Sequence, residues 1–222
     1  MLILLTPGKE RYGETECINH CFEMGLPVLH LRRPGWDFEL YRSFIASIHE
    51  KHHAKIVVHH HHLLAGEFRL KGIHLPGTDR EAFGDGLAKY VKMYQEKGFS
   101  VSTSFHSIQE IASNTAAFDY AFLSPVFSSI SKKGYAAKKF KAPAARFPVI
   151  ALGGIDAHNI SLAVKWGYKG VAVLGAIWQK DDPEAYFERL LSSYQQAFKS
   201  PFALKQIDQV TDHTPNPSPG LT

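Results

Sequence analysis

A chain of 222 residues, 45% of them apolar, can bury one sizeable core, and α/β barrels of this length are ordinary single domains. The net charge of +4 is mild, and its one dense basic cluster (Lys132, Lys133, Lys138, Lys139, Lys141) is a local loop rather than a stripe along a face, which argues against a nucleic-acid partner. No stretch is apolar for long enough to span a bilayer, so no membrane partner is expected.

Leu2–Leu5 is the first of eight short β-rich runs. The segment around it, MLILLTPGKERYG, has no basic leader and no small-residue cleavage site, so it reads as a strand of a cytoplasmic protein. The helical pattern Thr15–Met24 carries both cysteines, Cys17 and Cys21, as packing thiols; a disulfide framework or zinc site needs other spacings. Val28–Arg32 follows as a strand, then an amphipathic stretch Phe38–His52, near whose end His52 and His53 should face solvent. The third run, Lys55–His59, leads into four consecutive histidines, His59–His62. Neighbours on a strand alternate in direction, so four in a row cannot all face one ion, and no histidine metal centre is expected. His60 is the one assigned to a pocket.

The fourth run, Gly72–Leu75, ends in a PGTD turn closed by Asp79; then come a helical Gly86–Lys97 and the strand Ser100–Ser104. After Ile108–Ala112 and the strand Tyr120–Leu123 there is a long loop, SPVFSSISKKGYAAKKFKAP. Val149–Leu152, the helical Ala157–Trp166, the strand Gly170–Leu174 and the helix Pro183–Phe198, with proline well placed near its start, complete the series. PVIALGG and GVAVLGA are continuously apolar, as strands covered on both faces are. Eight strand–helix alternations point to a single α/β (β/α)8 TIM-type barrel over residues 1–200. Residues 201–222, which include HTPNPSPGLT, read as a flexible C-terminal tail.

Active sites of such barrels form at the carboxyl ends of the strands. The residues expected there are Arg32, His60, Asp79, Ser104, His106, Ser129, Ser131, Lys132, Gly153, Gly154 and Gly175. Gly153–Gly154 by itself reads as a tight turn; with Gly175 at the matching place on the next strand, the pair reads as a phosphate cradle of backbone N–H groups. Ser129, Ser131 and Lys132 suit a polyanion, whereas Lys138, Lys139 and Lys141 read as surface. His106 reads equally as a loop histidine or as a proton-transfer group.

Several segments carry a resemblance. LHLRRP resembles the second-strand segment of thiamine phosphate synthases, and GIHLPGTD their fourth-strand segment with its aspartate. STSFHSIQEI is similar to the fifth-strand serine and the helix start after it, and DYAFLSPVFSSISKKG to the sixth-strand segment with its lysine loop. PVIALGGI and GVAVLGAI resemble the two phosphate-binding turns. The pieces run in order from Leu26 to Ile177, and on them the chain resembles the thiamine phosphate synthase and thiazole tautomerase superfamily.

That resemblance implies a (β/α)8 barrel, usually a homodimer. It implies an enzyme that joins a pyrimidine diphosphate to thiazole phosphate, releasing diphosphate with Mg2+. Carried over, Arg32 would contact the diphosphate, Asp79 would bind magnesium, and Ser104, Ser129, Ser131 and Lys132 would hold diphosphate oxygens. Gly153, Gly154 and Gly175 would bind the thiazole phosphate. The chain departs from the pattern at four places. Pro34 stands where the synthases have a lysine, His59–His60 where they have Asn–Asp, His30 where they have a glutamine, and Gly77 in place of a second glutamine. Arg33 is a candidate substitute for the missing lysine. The resemblance also admits a thiazole tautomerase, needing no metal, with His106 as acid/base, and a degenerate phosphate-ligand binding protein.

Overall fold

The computed structural model describes residues 1–128 and 140–198. Eight parallel strands close into a barrel in chain order. They are β1 (Leu2–Leu5), β2 (Val28–Leu31), β3 (Ile56–Val58), β4 (Gly72–Leu75), β5 (Ser100–Phe105), β6 (Tyr120–Leu123), β7 (Val149–Leu152) and β8 (Gly170–Val173). The barrel closes through β1 and β8, with Ile3 opposite Ala172. The helices around it are α1 (Glu14–Glu23), α2 (Phe38–Ser47), α3 (Leu64–Glu67), α4 (Gly77–Ala82), α5 (Leu87–Glu96), α6 (Ile108–Ser113), α7 (Ile160–Lys165), α8 (Gly175–Trp178) and α9 (Pro183–Phe198). Every strand run read from the sequence is present, with ends shifted by one residue at most.

Alternation along each strand sorts the side chains into two cores. Leu2, Leu4, Leu29, Leu31, Val58 and Ile73 pack outward under the helices. Ile3, Leu5, Val28, Val57, Phe122 and Ile150 fill the barrel interior. This is why β7 and β8 read as continuous apolar runs: both of their faces are covered. Cys17 and Cys21 are free and buried on the inner face of α1, as expected. Trp178 donates its indole N–H to Leu5 O at 2.6 Å, tying α8 to the first strand.

The helix expected over Phe38–His52 stops at Ser47. Ile48 turns extended, and the His49 N–H is taken by the Asn19 side chain at 3.0 Å, so the helical ladder ends there. A 3-10 turn over Glu50–Lys55 then carries His52 and His53 inward. Both are buried, contrary to the solvent-facing expectation: His53 bonds the carbonyls of Ile45 and Ile48, and His52 stacks on Phe22 and bonds Glu23. The tail read from residue 201 lies outside the described residues. Among the described residues, no helix is long and apolar enough to cross a membrane.

Candidate active site

A cavity of about 300 Å³ opens at the carboxyl ends of the strands. Arg32, His59, His74, Ser104, His106 and Ser124 line one side of it, from the ends of β2 to β6. Leu5, Leu152 and Leu174 line the other, with Gly153, Gly154 and Gly175 at the rim. The site is therefore polar where β2–β6 end and apolar where β7, β8 and β1 end.

Arg32 is held by its backbone. Its N–H donates to the Thr6 hydroxyl at 2.9 Å, and that hydroxyl lies 3.1 Å from Arg32 O, leaving an exposed guanidinium at the cavity. Arg33 faces the opposite way. It is 1% exposed, ion-paired with the buried Glu14, and lies against the rings of Trp36 and Phe44 at 5.0 and 5.4 Å. Arg33 therefore does not stand in for the lysine missing at Pro34, because its charge is committed beneath α1.

Ser107 and Glu110 form a capping box at the start of α6. The Ser107 side chain accepts from Glu110 N–H at 3.1 Å, and Glu110 accepts from the His106 N–H at 3.2 Å. The His106 ring nitrogen Nδ1 lies 3.0 Å from Ser124 O, so β5 and β6 together aim this imidazole at the cavity. Burial pushes the Glu110 carboxyl up, but the bonds from Ser107 and His106 and the charge of Arg80 leave it below its usual range. Arg80, 8% exposed on α4, bonds Ser104 O and lies over the Phe105 ring at 4.2 Å. One guanidinium thus fixes the end of β5 that presents Ser104 and His106.

Gly153 and Gly154 have φ of +94° and +65°. A Cβ on Gly153 would meet Pro125 Cα at 2.8 Å, and one on Gly154 would run into Ser128 O. Glycine is required first by the packing of the β6 loop onto this turn. Asn159 holds the turn by donating to Gly154 O at 2.8 Å. Among the described residues, no N–H of Gly153, Gly154 or Gly175 donates to a protein acceptor.

Beneath the cavity, three histidines from consecutive strands meet inside the barrel. His30 Nδ1 lies 3.0 Å from His59 Nε2, and His30 Nε2 lies 2.6 Å from the Tyr120 hydroxyl. The rings of His59 and His74 stack at 4.1 Å, and His74 bonds Ser102 and Ser104, both at 2.9 Å. Burial pushes His30 down to about 3 and holds His59 and His74 well below 6.5, so all three are neutral imidazoles.

The structure thus brings together Arg32, Ser104, His106, Gly153, Gly154 and Gly175. Asp79 sits in the first turn of α4, half-buried, with Thr78 donating to it at 3.2 Å; it stands beside the cavity rather than in its lining. His60 does not line the cavity; His59 does. The inward set on β3 is Val57 and His59, so His60 falls on the other parity and its ring lies 6.2 Å from Tyr41. Asp79 raises the pKa of His60, against the stronger lowering by burial. Ser129, Ser131 and Lys132 lie outside the described residues. Sequence reasoning missed His74 and Arg80 altogether and treated His30 only as a departure. VLHL and GIHL did carry a signal, a polar residue between apolar ones on the inward parity.

Residues 2–177 match the family model described as thiamine monophosphate synthase. A thiamine-phosphate synthase of Helicobacter pylori is 30% identical over 150 residues, 65% of this chain and 66% of that protein, so the match spans just under two thirds of that relative. One from Chlamydia caviae is 24% identical over 194 residues, covering 82% and 89%. The structure of thiamine phosphate pyrophosphorylase from Bacteroides thetaiotaomicron superposes with a TM-score of 0.66 at 27% identity, over 88% of this chain and 98% of that one.

Proposed function

Because the chain belongs to the thiamine monophosphate synthase family, we propose that it is a transferase that joins a pyrimidine diphosphate to thiazole phosphate and releases diphosphate. The observation that carries this reading is the two-sided cavity. A cation and hydroxyls face one half, while apolar side chains and glycine N–H groups face the other, which suits two anionic substrates with a flat apolar ring between them. The related proteins named above carry the synthase name, and nothing in them favours the isomerase alternative.

In this reading Arg32 holds the diphosphate at the β2 end, and Ser104 donates to it from β5. Gly153, Gly154 and Gly175 hold the thiazole phosphate through the backbone. Ser129, Ser131 and Lys132 would complete the diphosphate cover. The chain's task is to hold both partners in line and to stabilise the charge that gathers on the leaving group. His106 lines the cavity with one ring nitrogen 3.0 Å from Ser124 O, which suits it to exchange a proton with a bound substrate.

Magnesium suits hard oxygen donors and keeps several waters. Asp79 supplies one such oxygen, while the nearby His60 supplies an imidazole, so the residues fit the ion only when diphosphate and water provide the remaining ligands. Asp79 would then hold it, and the ion would neutralise charge on the diphosphate.

Substituting Arg32→Ala removes a charge-assisted contact, expected to lower kcat/KM by about 10–100-fold. Diphosphate release measured on folded protein checks this. Unchanged kcat/KM would remove Arg32 from the site.

A further inference from the structure

The three buried histidines have no part in the condensation just described, yet they are the most unusual feature of the interior. His30, His59 and His74 are 0%, 3% and 1% exposed. One ring nitrogen from each can be chosen so that all three lie within 4.8 Å of one another. Tetrahedral coordination at about 2.0–2.1 Å needs ligand nitrogens roughly 3.3 Å apart, so a small inward rotation of the rings closes such a site. The closest pair, His30 Nδ1 and His59 Nε2, is already at 3.0 Å.

Two further observations support a ligand here. The outer partners are in place: the Tyr120 hydroxyl is on His30 Nε2, and His74 has a serine hydroxyl on each ring nitrogen, so that one stays as the outer contact of a metal-bound imidazole while the other gives way to the ion. His59 and His74 also line the cavity, so a bound ion would have one side open to it.

We propose that His30, His59 and His74 form a binding site for one divalent transition-metal ion of the zinc and cobalt type, with a fourth position open to the cavity. Imidazole donors select such ions over magnesium or calcium. Three protein nitrogens with one open position is the arrangement of a reactive ion rather than a purely structural one. The fourth position would take water, hydroxide or an oxygen of a molecule in the cavity.

The test uses the full chain, stripped with a chelator and titrated with Co2+ alone. The expected result is one Co2+ per chain with the visible bands of a four-coordinate ion, displaced by Zn2+. Losing an outer partner of a metal ligand costs about 10–100-fold in affinity, and losing a ligand costs more. His59→Asn and His30→Gln should therefore each weaken binding by more than about 100-fold, with circular dichroism unchanged. A second histidine-containing group, exposed Glu23 and His49 with buried His52, lies outside the barrel, and His49→Gln should leave binding intact. No uptake of Co2+, uptake that survives His59→Asn, or uptake lost in His49→Gln would each overturn the proposal. Should the buried variants fail to fold, X-ray absorption of the Co2+-loaded wild type counts the imidazoles, and fewer than three overturns it. The inference does not draw on the proposed condensation: it is read without substrate, and its failure leaves that reading standing.

Discussion

Gly154 is held at φ +65° with the Ser128 carbonyl where a Cβ would go, whereas Gly13 has φ +70° and nothing within 4 Å. Gly13→Ala should therefore cost only the left-handed backbone penalty, about 1–2 kcal/mol. Gly154→Ala should cost at least about 2 kcal/mol more, because backbone must move. Urea unfolding of the two variants separates strain from packing, and equal losses would show that the β6 loop does not press on this turn. At this scale the sequence was readable where a residue type has few uses: the GG turn, Ser104 and Arg32 at strand ends. It was misleading where direction mattered. Arg33 and His60 are the right chemistry on the wrong parity, and four adjacent histidines looked incapable of a cluster because the partners of His59 come from other strands.

The elements are tied to one another by buried charge more than the sequence suggested. Glu14 on α1 and Arg33 after β2 form an ion pair 2% and 1% exposed by side chain. Removing one partner, as in Glu14→Gln, should destabilise by about 3–5 kcal/mol, whereas Glu14→Leu with Arg33→Met should cost less than the single change. Chemical denaturation of the three variants checks the order; a double variant worse than the single would mean that the pair itself, not the orphaned charge, carries the stability. Arg80 ties α4 to the end of β5 in the same way. Arg80→Met should lose about 1.5–3 kcal/mol of stability, and Arg80→Lys should recover little of it, because an ammonium cannot bond Ser104 O and Glu110 together. Strand runs were legible from short apolar runs, but the end of α2 was not, because it depends on Asn19 of a different helix.

Across the whole molecule, strand order and closure followed from eight alternations alone, while the polar half of the interior did not, since its histidines come singly from different strands and only the fold brings them together. His52, in the outer shell, gives a pH signature. Burial lowers its pKa in the folded chain below the ordinary 6.5, against the pull of Glu23. The unfolded chain then binds more protons than the folded one below that pH. Stability is whole above about 6.5 and falls as pH drops toward the folded value. Unfolding midpoints at pH 7.5 and 5.5 should differ in this direction, and His52→Gln should remove its own share of the difference, the rest coming from His30, His59 and His74, whose pKa burial also lowers. An equal slope in the variant would assign the effect to other groups.

The central claim is that one cavity joins two anionic partners. It is tested most directly by diphosphate release from the wild-type chain given the pyrimidine diphosphate, thiazole phosphate and magnesium, together and with each substrate omitted. The account predicts release that requires both substrates and matches, mole for mole, the thiamine phosphate formed. Folded protein that binds thiazole phosphate but releases no diphosphate with both present would contradict it.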